Sequence, residues 1–327
     1  MSNQVDETLR ESDKQYFFHP FTALKSHEQT GGKIITEGKG STLIDTAGNK
    51  FLDAMAGLWC VNLGYGNEEL SDAIAKQSRH LSYYHSFSGM SNDIAIRVSE
   101  KIINMFPVPM SKVFYGNSGS DANDTNAKIV WFYNNVLGRP NKKKIIARTR
   151  GYHGVTVLSG GLTGLQNTHE GFDLPLPMIR HVRPPHRLWE KAPGMTDAEF
   201  VKSLADELEN LIIAEGPDTV AAFIAEPVQA AGGVLVPPKE YFPEIQKVLK
   251  KYDVLFIADE VVTGFGRLGQ MFGTEVFDLQ PDIVTVAKGL TSAYIPLSAS
   301  IINEKIWQVL RDGSEKYGAF GHGYTYS

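Results

Sequence analysis

Cysteine is almost missing. Cys60 is the single one among 327 residues, which excludes an intrachain disulfide and any cysteine-rich metal site. As a lone thiol it reads as a packed structural residue rather than a nucleophile. Long apolar runs are missing too: no stretch reaches the roughly 18 residues a membrane-spanning helix needs. The most apolar region, Val220 to Pro237, is broken by Glu226 and Pro227. A basic surplus is absent as well. With 32 Lys and Arg against 37 Asp and Glu, the formal net charge is -5, which argues against a nucleic-acid surface or an anionic membrane as partner. Met1 to Gln15 lacks a basic start, an apolar centre and a small-residue cleavage site, so no signal peptide is read there and a cytoplasmic location is expected. There is no internal repeat, no low-complexity segment and no metal-ligand spacing.

What is present is an alternation of short apolar runs and amphipathic stretches. The first fifteen or so residues look loosely helical or disordered. Ile34 to Thr36 and Thr42 to Ile44 flank a Gly-Lys-Gly turn, and a second turn at Ala47 to Asn49 leads to Phe51 and Leu52. This predicts a small β-meander. Further on, Ile94, Val98, Ile102 and Phe106 recur at spacing four and predict a helix. Lys112 to Tyr115 and Lys144 to Arg148 read as strands, with a helix over Asp121 to Asn135 between them. Thr196 and Glu199 form a Thr-x-x-Glu capping box at the head of another helix. Val220 to Ala225, Val254 to Ala258 and Ile283 to Ala287 are apolar without strict alternation, as strands buried on both faces are. His181 to Met195, rich in Pro and basic residues, reads as a long surface excursion. Strands that alternate with helices predict an α/β fold with a mostly parallel sheet.

In open α/β sheets ligands collect at the carboxyl ends of the strands, so the polar residues directly after the apolar runs matter most. Tyr115 is followed by Gly-Asn-Ser-Gly-Ser, Ala225 by Glu226, Ala258 by Asp259 and Glu260, and Ala287 by Lys288. The Gly116 to Ser120 turn leads from a strand into a helix, whose free N–H groups and positive dipole end suit a phosphate. Taken alone it reads more readily as an ordinary capped turn. It is neither a Walker loop nor a Gly-x-Gly-x-x-Gly dinucleotide turn. Asp259 and Lys288 each follow a buried strand, and each alone reads as a loop cap or a solvated lysine. Together with a phosphate cradle they match the needs of pyridoxal 5′-phosphate: an amine to form an imine with the aldehyde, a carboxylate for the pyridine nitrogen, a helix start for the phosphate.

Asn-Ser-Gly-Ser-Asp-Ala-Asn-Asp (Asn117 to Asp124), Gly-Tyr-His-Gly (Gly151 to Gly154), Ala-Glu-Pro-Val-Gln (Ala225 to Gln229), Asp-Glu-Val-Val-Thr-Gly-Phe-Gly-Arg (Asp259 to Arg267) and Ala-Lys-Gly-Leu-Thr (Ala287 to Thr291) stand in this order. The chain resembles the class III aminotransferases from about Phe17 to its last residue. The resemblance implies a fold type I transferase: a mostly parallel, seven-stranded-type sheet sandwiched by helices, with the β-meander belonging to a small domain. Residues 1–60 would be the N-terminal part of that small domain and residues 61–327 the large cofactor domain. The family's chains continue well past this point, so the carboxyl-terminal small domain, with the arginine that binds a substrate carboxylate, is expected to be absent here. The chain as it stands is then expected to hold the cofactor weakly.

Carried over position by position, Lys288 matches the Schiff-base lysine, which also shuttles the proton as general acid and base. Asp259 matches the partner of the pyridine nitrogen. Ser118, Gly119 and Ser120 match the phosphate cradle. Tyr152 matches the aromatic stacked on the ring, and Val261 packs on the other face. Gln229 matches a glutamine at the ring hydroxyl, Glu226 a buried supporting acid, and Thr325 a threonine reaching the phosphate of the other subunit of a homodimer or dimer of dimers. His153 invites a base role, but the resemblance gives proton transfer to the lysine, so His153 reads as structural.

Leu58, Trp59 and the Tyr84 to Phe87 segment resemble the substrate pocket of the amine–pyruvate and β-alanine–pyruvate branch, with Phe87 supplied by the partner subunit and S stereopreference implied. After Gln229 this chain has Ala230 and Ala231, where 2-oxoglutarate-using ornithine-type members carry a gating glutamate. An amine or ω-amino acid donor with pyruvate as the keto-acid acceptor is therefore expected. Other fold type I chemistry (an aminomutase, racemase or decarboxylase) would use the same Lys288 and Asp259, and a non-catalytic fragment is a further alternative. A nucleotide-dependent oxidoreductase lacks its glycine fingerprint.

Overall fold

The polar start of the chain is helical. In the computed structural model, which describes residues 2–326, α1 spans Ser2–Tyr16, a regular helix where the sequence alone leaves a loosely helical or disordered segment. A short α2, Leu24–Thr30, follows. The two turns foreseen by their Gly and Asn content then close a three-stranded antiparallel meander of β1 (Ile35–Lys39), β2 (Thr42–Asp45) and β3 (Lys50–Leu52). The Asp45 carboxylate fixes the second turn by accepting the amides of Ala47 and Asn49 at 3.0 and 2.9 Å, the Asx-type contact that makes Asp a turn residue. Helix α3, Glu68–His80, is capped by Asn67, whose side chain accepts the Leu70 amide. These elements belong to one compact unit, and the chain divides between Ser82 and Tyr83.

The second unit is built on a seven-stranded sheet: β4 (Lys112–Gly116), β5 (Lys144–Arg148), β6 (Ile179–Val182), β7 (Val220–Ala225), β8 (Leu255–Asp259), β9 (Ile283–Val286) and β10 (Ser298–Ile302), in the order β4-β10-β9-β8-β7-β5-β6. Pairings from β6 through β9 are parallel, whereas β10 is antiparallel to both β4 and β9. So β4 points the same way as β9. Two strands went unread in the sequence. The run Ser-Ala-Ser-Ile-Ile of β10 is short and half polar. Strand β6 overlaps the start of the stretch read as a surface excursion, so His181 and Val182 are sheet rather than excursion.

Successive residues of each central strand face opposite layers, as the two-residue repeat requires. Ile146, Phe223, Phe256 and Val284 pack one side, against Ile102 of α4 (Asp93–Met105) and against the helices described next, α7 and α8. Ile145, Ile224, Ile257 and Ile283 pack the other, against α5 (Gly119–Val136), α6 (Val157–Leu162) and α9 (Glu304–Ser314). Helix α7, Asp197–Glu215, starts at the foreseen capping box of Thr196 and Glu199, and α8 spans Tyr241–Lys251. Phe200, Leu204, Leu208 and Ile212 form the buried stripe of α7, each worth about 1.5–3 kcal/mol when fully buried. The helix-sandwiched sheet is what the alternation of runs predicts. Among the described residues, no helix is long and apolar enough to cross a membrane.

Candidate active site

Because only β10 runs backwards, the carboxyl ends of β4, β5, β7, β8 and β9 share one edge of the sheet. Every strand-end residue singled out in the sequence lies along it. At the end of β4 the chain turns into α5 through Ser118, which caps the helix: its hydroxyl accepts the Asp121 amide at 3.2 Å, while the Asp121 carboxylate accepts the amides of Asn117 and Ser118. Gly119 and Ser120 occupy the first turn, where N–H groups have no carbonyl of their own helix to meet. The Ser120 hydroxyl accepts the Val155 amide at 3.1 Å. Gly119 must be glycine on packing grounds, since a Cβ there would lie 2.9 Å from a methyl of Val261. The cradle and Val261 are therefore in direct contact.

Asp259 ends β8 and is 2% exposed. Its Oδ2 accepts from Asn123 Nδ2 at 2.9 Å and lies 2.8 Å from His153 Nδ1; its Oδ1 accepts the Val261 amide at 3.1 Å. Asn123 in turn donates to the His153 carbonyl at 2.7 Å and accepts the Thr285 hydroxyl at 2.7 Å. Thr285 sits on β9 directly opposite Asp259 in the parallel register. The carboxylate is thus held by α5, by the loop after β5 and by its neighbouring strand.

Three residues beyond Thr285, Lys288 opens a single turn, Lys288–Leu290, with a half-buried side chain and φ of +49°. This left-handed conformation is strained for a residue with a Cβ and marks a position whose backbone is fixed by its surroundings. Tyr152 follows β5. Its amide donates to Glu226 Oε1 at 3.0 Å, and the other Glu226 oxygen takes the Ala230 amide at 3.0 Å. Glu226 thus pins two backbone segments of the site and offers the ring of Tyr152 a fixed base. Burial pushes the Glu226 carboxyl above the ordinary carboxylate range. Burial, and then the charge of Asp259, push the Tyr152 phenol up as well. Fully buried Gln229 donates to the Thr149 carbonyl at 3.0 Å, while its Oε1 has no hydrogen-bond partner among the described residues. Ala231 is exposed.

The remaining sequence candidates lie elsewhere. Thr325 is exposed, and its carbonyl accepts the Tyr83 hydroxyl at 2.6 Å. Phe87 is half-exposed, with its ring against Gly323. Leu58, exposed, and Trp59, with φ of +57°, belong to the first unit. Asn123 and Thr285 were missed as site residues, although Asn123 stands inside a quoted motif. The available signal is a helix whose buried, sheet-facing side carries Asn123 and Asn126, since buried polar groups need partners.

The residues fit pyridoxal 5′-phosphate on three observations: first-turn amides behind a glycine whose Cβ would press on Val261, a preorganised carboxylate at the end of β8 on the same sheet edge, and a buried glutamine with an amide atom to spare. A family model described as aminotransferase class-III matches residues 24–327. The diaminobutyrate–2-oxoglutarate transaminase of Halomonas elongata is 53% identical, covering 98% of this chain and 69% of its own length. A probable mitochondrial gamma-aminobutyrate transaminase 2 of Oryza sativa is 52% identical over 94% of this chain and 62% of its own. Among solved structures, the omega transaminase from Pseudomonas jessenii in complex with PMP superposes with a TM-score of 0.96 at 50% identity, covering 97% of this chain and 70% of that one.

Proposed function

Since the chain belongs to the class III aminotransferases and is a pyridoxal-phosphate enzyme, we propose that it moves the amino group of an amine or ω-amino acid to pyruvate. The donor leaves as a carbonyl compound and pyruvate as alanine. When bound, the cofactor supplies an aldehyde and a ring that can take up the electrons left by the departing proton.

The chain's own residues supply the rest. Lys288 is the amine that would hold the cofactor and would serve as the general acid and base for the proton of the donor carbon. Asp259, held by Asn123, His153 and the Val261 amide, keeps a proton on the ring nitrogen. Gly119 and Ser120 offer amides to the phosphate at the positive end of α5, with Ser118 capping that turn. Tyr152 and Val261 cover opposite ring faces and exclude water. Gln229 meets the ring hydroxyl. Phe87 and Thr325, both exposed here, are read as contributions to a neighbouring subunit's site in a homodimer, and Leu58 and Trp59 as the wall for the donor side chain. The single observation that carries the reading is the Asp259 carboxylate, buried and triply held, beside the strand that ends in Lys288.

Pyruvate is favoured over 2-oxoglutarate by Ala231, which puts a methyl group where a gating carboxylate would stand. The Halomonas relative is named for 2-oxoglutarate, so the acceptor needs its own test. In single-turnover half-reactions followed by cofactor absorbance, L-alanine is expected to react at least about ten-fold faster than L-glutamate, an advantage of about 1.4 kcal/mol. Equal rates would sink the pyruvate assignment. Gly119→Ala is expected to weaken cofactor binding by ten-fold or more, because the new methyl must displace Val261 from the ring face (overpacking costs about 1–3 kcal/mol). Fluorescence titration of the apo chain with pyridoxal 5′-phosphate measures it, and unchanged affinity would remove Gly119 from the cradle.

A further inference from the structure

We propose that Asp13, His19 and His27 form a binding site for a borderline divalent metal ion such as Zn2+. Asp13 lies in the last turn of α1, His19 in the connection and His27 in α2. His19 Nε2 lies 2.8 Å from Asp13 Oδ1, and His27 Nε2 lies 3.1 Å from Asp13 Oδ2. The two imidazoles are neighbours, with ring centroids 4.1 Å apart. The three ligand atoms fall within 4.8 Å of one another. Tetrahedral zinc with bonds of about 2.0–2.1 Å places its ligand atoms about 3.4 Å apart, so to admit the ion the His19–Asp13 contact opens by about 0.6 Å and a pair at the outer limit of the cluster closes by about 1.4 Å.

The chemistry of the set is specific. Two imidazole nitrogens and one carboxylate oxygen suit zinc, cobalt or nickel, and exclude magnesium and calcium, which take oxygen ligands. The side chains are partly buried, at 23%, 12% and 16% exposure for His19, His27 and Asp13, so their rotamers are restrained before an ion arrives. A second observation points to a ligand as well. A cavity of about 220 Å³ opens beside this cluster, lined by Phe17, His19, Leu24 and His27 and by one charge of each sign, Lys14 and Glu28. It gives access for the ion and room for water as a fourth ligand. A bound ion would tie α1 to α2 through side chains alone.

Calorimetric titration of the untagged, cofactor-loaded chain with ZnCl2 tests the site. One ion per chain is expected, and His19→Gln and His27→Gln should each weaken binding by more than ten-fold. An isotherm unchanged by both substitutions overturns the proposal. Should either variant lose its far-UV circular dichroism, the wild-type chain decides alone. Added CoCl2 should give the intense visible absorption of four-coordinate cobalt with nitrogen ligands, bleached by zinc, and spectra showing only hydrated cobalt overturn the site.

Discussion

Lys288→Ala is expected to lower the half-reaction with an amine donor by at least about 10³-fold, within the range that a positioned proton carrier contributes, and to leave the cofactor loosely held. The substitution is a clean one. Lys288 sits at φ +49°, and alanine carries the same Cβ into the same left-handed backbone, so the strain is unchanged. The lysine is half-buried at a strand end rather than packed in the core, so little apolar burial is lost. A fall in rate would therefore report chemistry and not unfolding. Partial rescue by a small external amine is the accompanying expectation, because a free amine can carry the proton without restoring attachment. A variant that keeps its rate within ten-fold would show that another group does the work of Lys288.

The second large effect is expected at Asp259. Replacing it by alanine removes the counter-charge at the ring nitrogen and should cost about 10²–10³-fold in kcat, the size of a lost charge partner in a water-excluded site. It also strands donors. Asn123 Nδ2, the His153 ring and the Val261 amide all point at the carboxylate, and each buried group left unpaired costs about 1–3 kcal/mol. Melting temperature and kcat should thus fall together. Asn123→Ala separates the two roles: it keeps the carboxylate and loosens its support, so it should lower kcat less than Asp259→Ala does. Steady-state kinetics with a melting curve for each variant measures both. An Asp259→Ala chain with a wild-type rate would end its assignment as the ring partner.

Much of this was legible in the sequence because it is local. Strand β7 is buried throughout and apolar throughout, so its bounds appear directly in Val220 to Ala225. The capping box at Thr196 is a four-residue pattern, and the meander turns announce themselves by Gly and Asn. What could not be read was long-range pairing. Nothing near Ser298 to Ile302 says that this half-polar pentapeptide lies between β4 and β9, since its burial comes entirely from its neighbours. The support of Asp259 is of the same kind: Asn123 is 136 positions away in the chain. His153 was read as structural, and its buried place beside Asp259 gives that reading a specific content. Trp59 and Phe87 belong to separate units of the chain, and their pocket role rests on resemblance alone.

The sheet order sets a schedule for synthesis. β4, which delivers the phosphate cradle, is an edge strand, and its one hydrogen-bonded neighbour in the sheet is β10. As the chain leaves the ribosome, residues 112–116 emerge early and then wait unpaired until residues 298–302 follow. Loop closure over such a separation adds little to the equilibrium cost, because each doubling of loop length costs only about 0.6 kcal/mol, but it slows formation. The nascent chain can therefore assemble β5 to β9 around their shared core while the cradle is still unanchored. Until residues 298–302 arrive, both edges of β4 lack a sheet partner, the kind of open strand edge that invites misassociation.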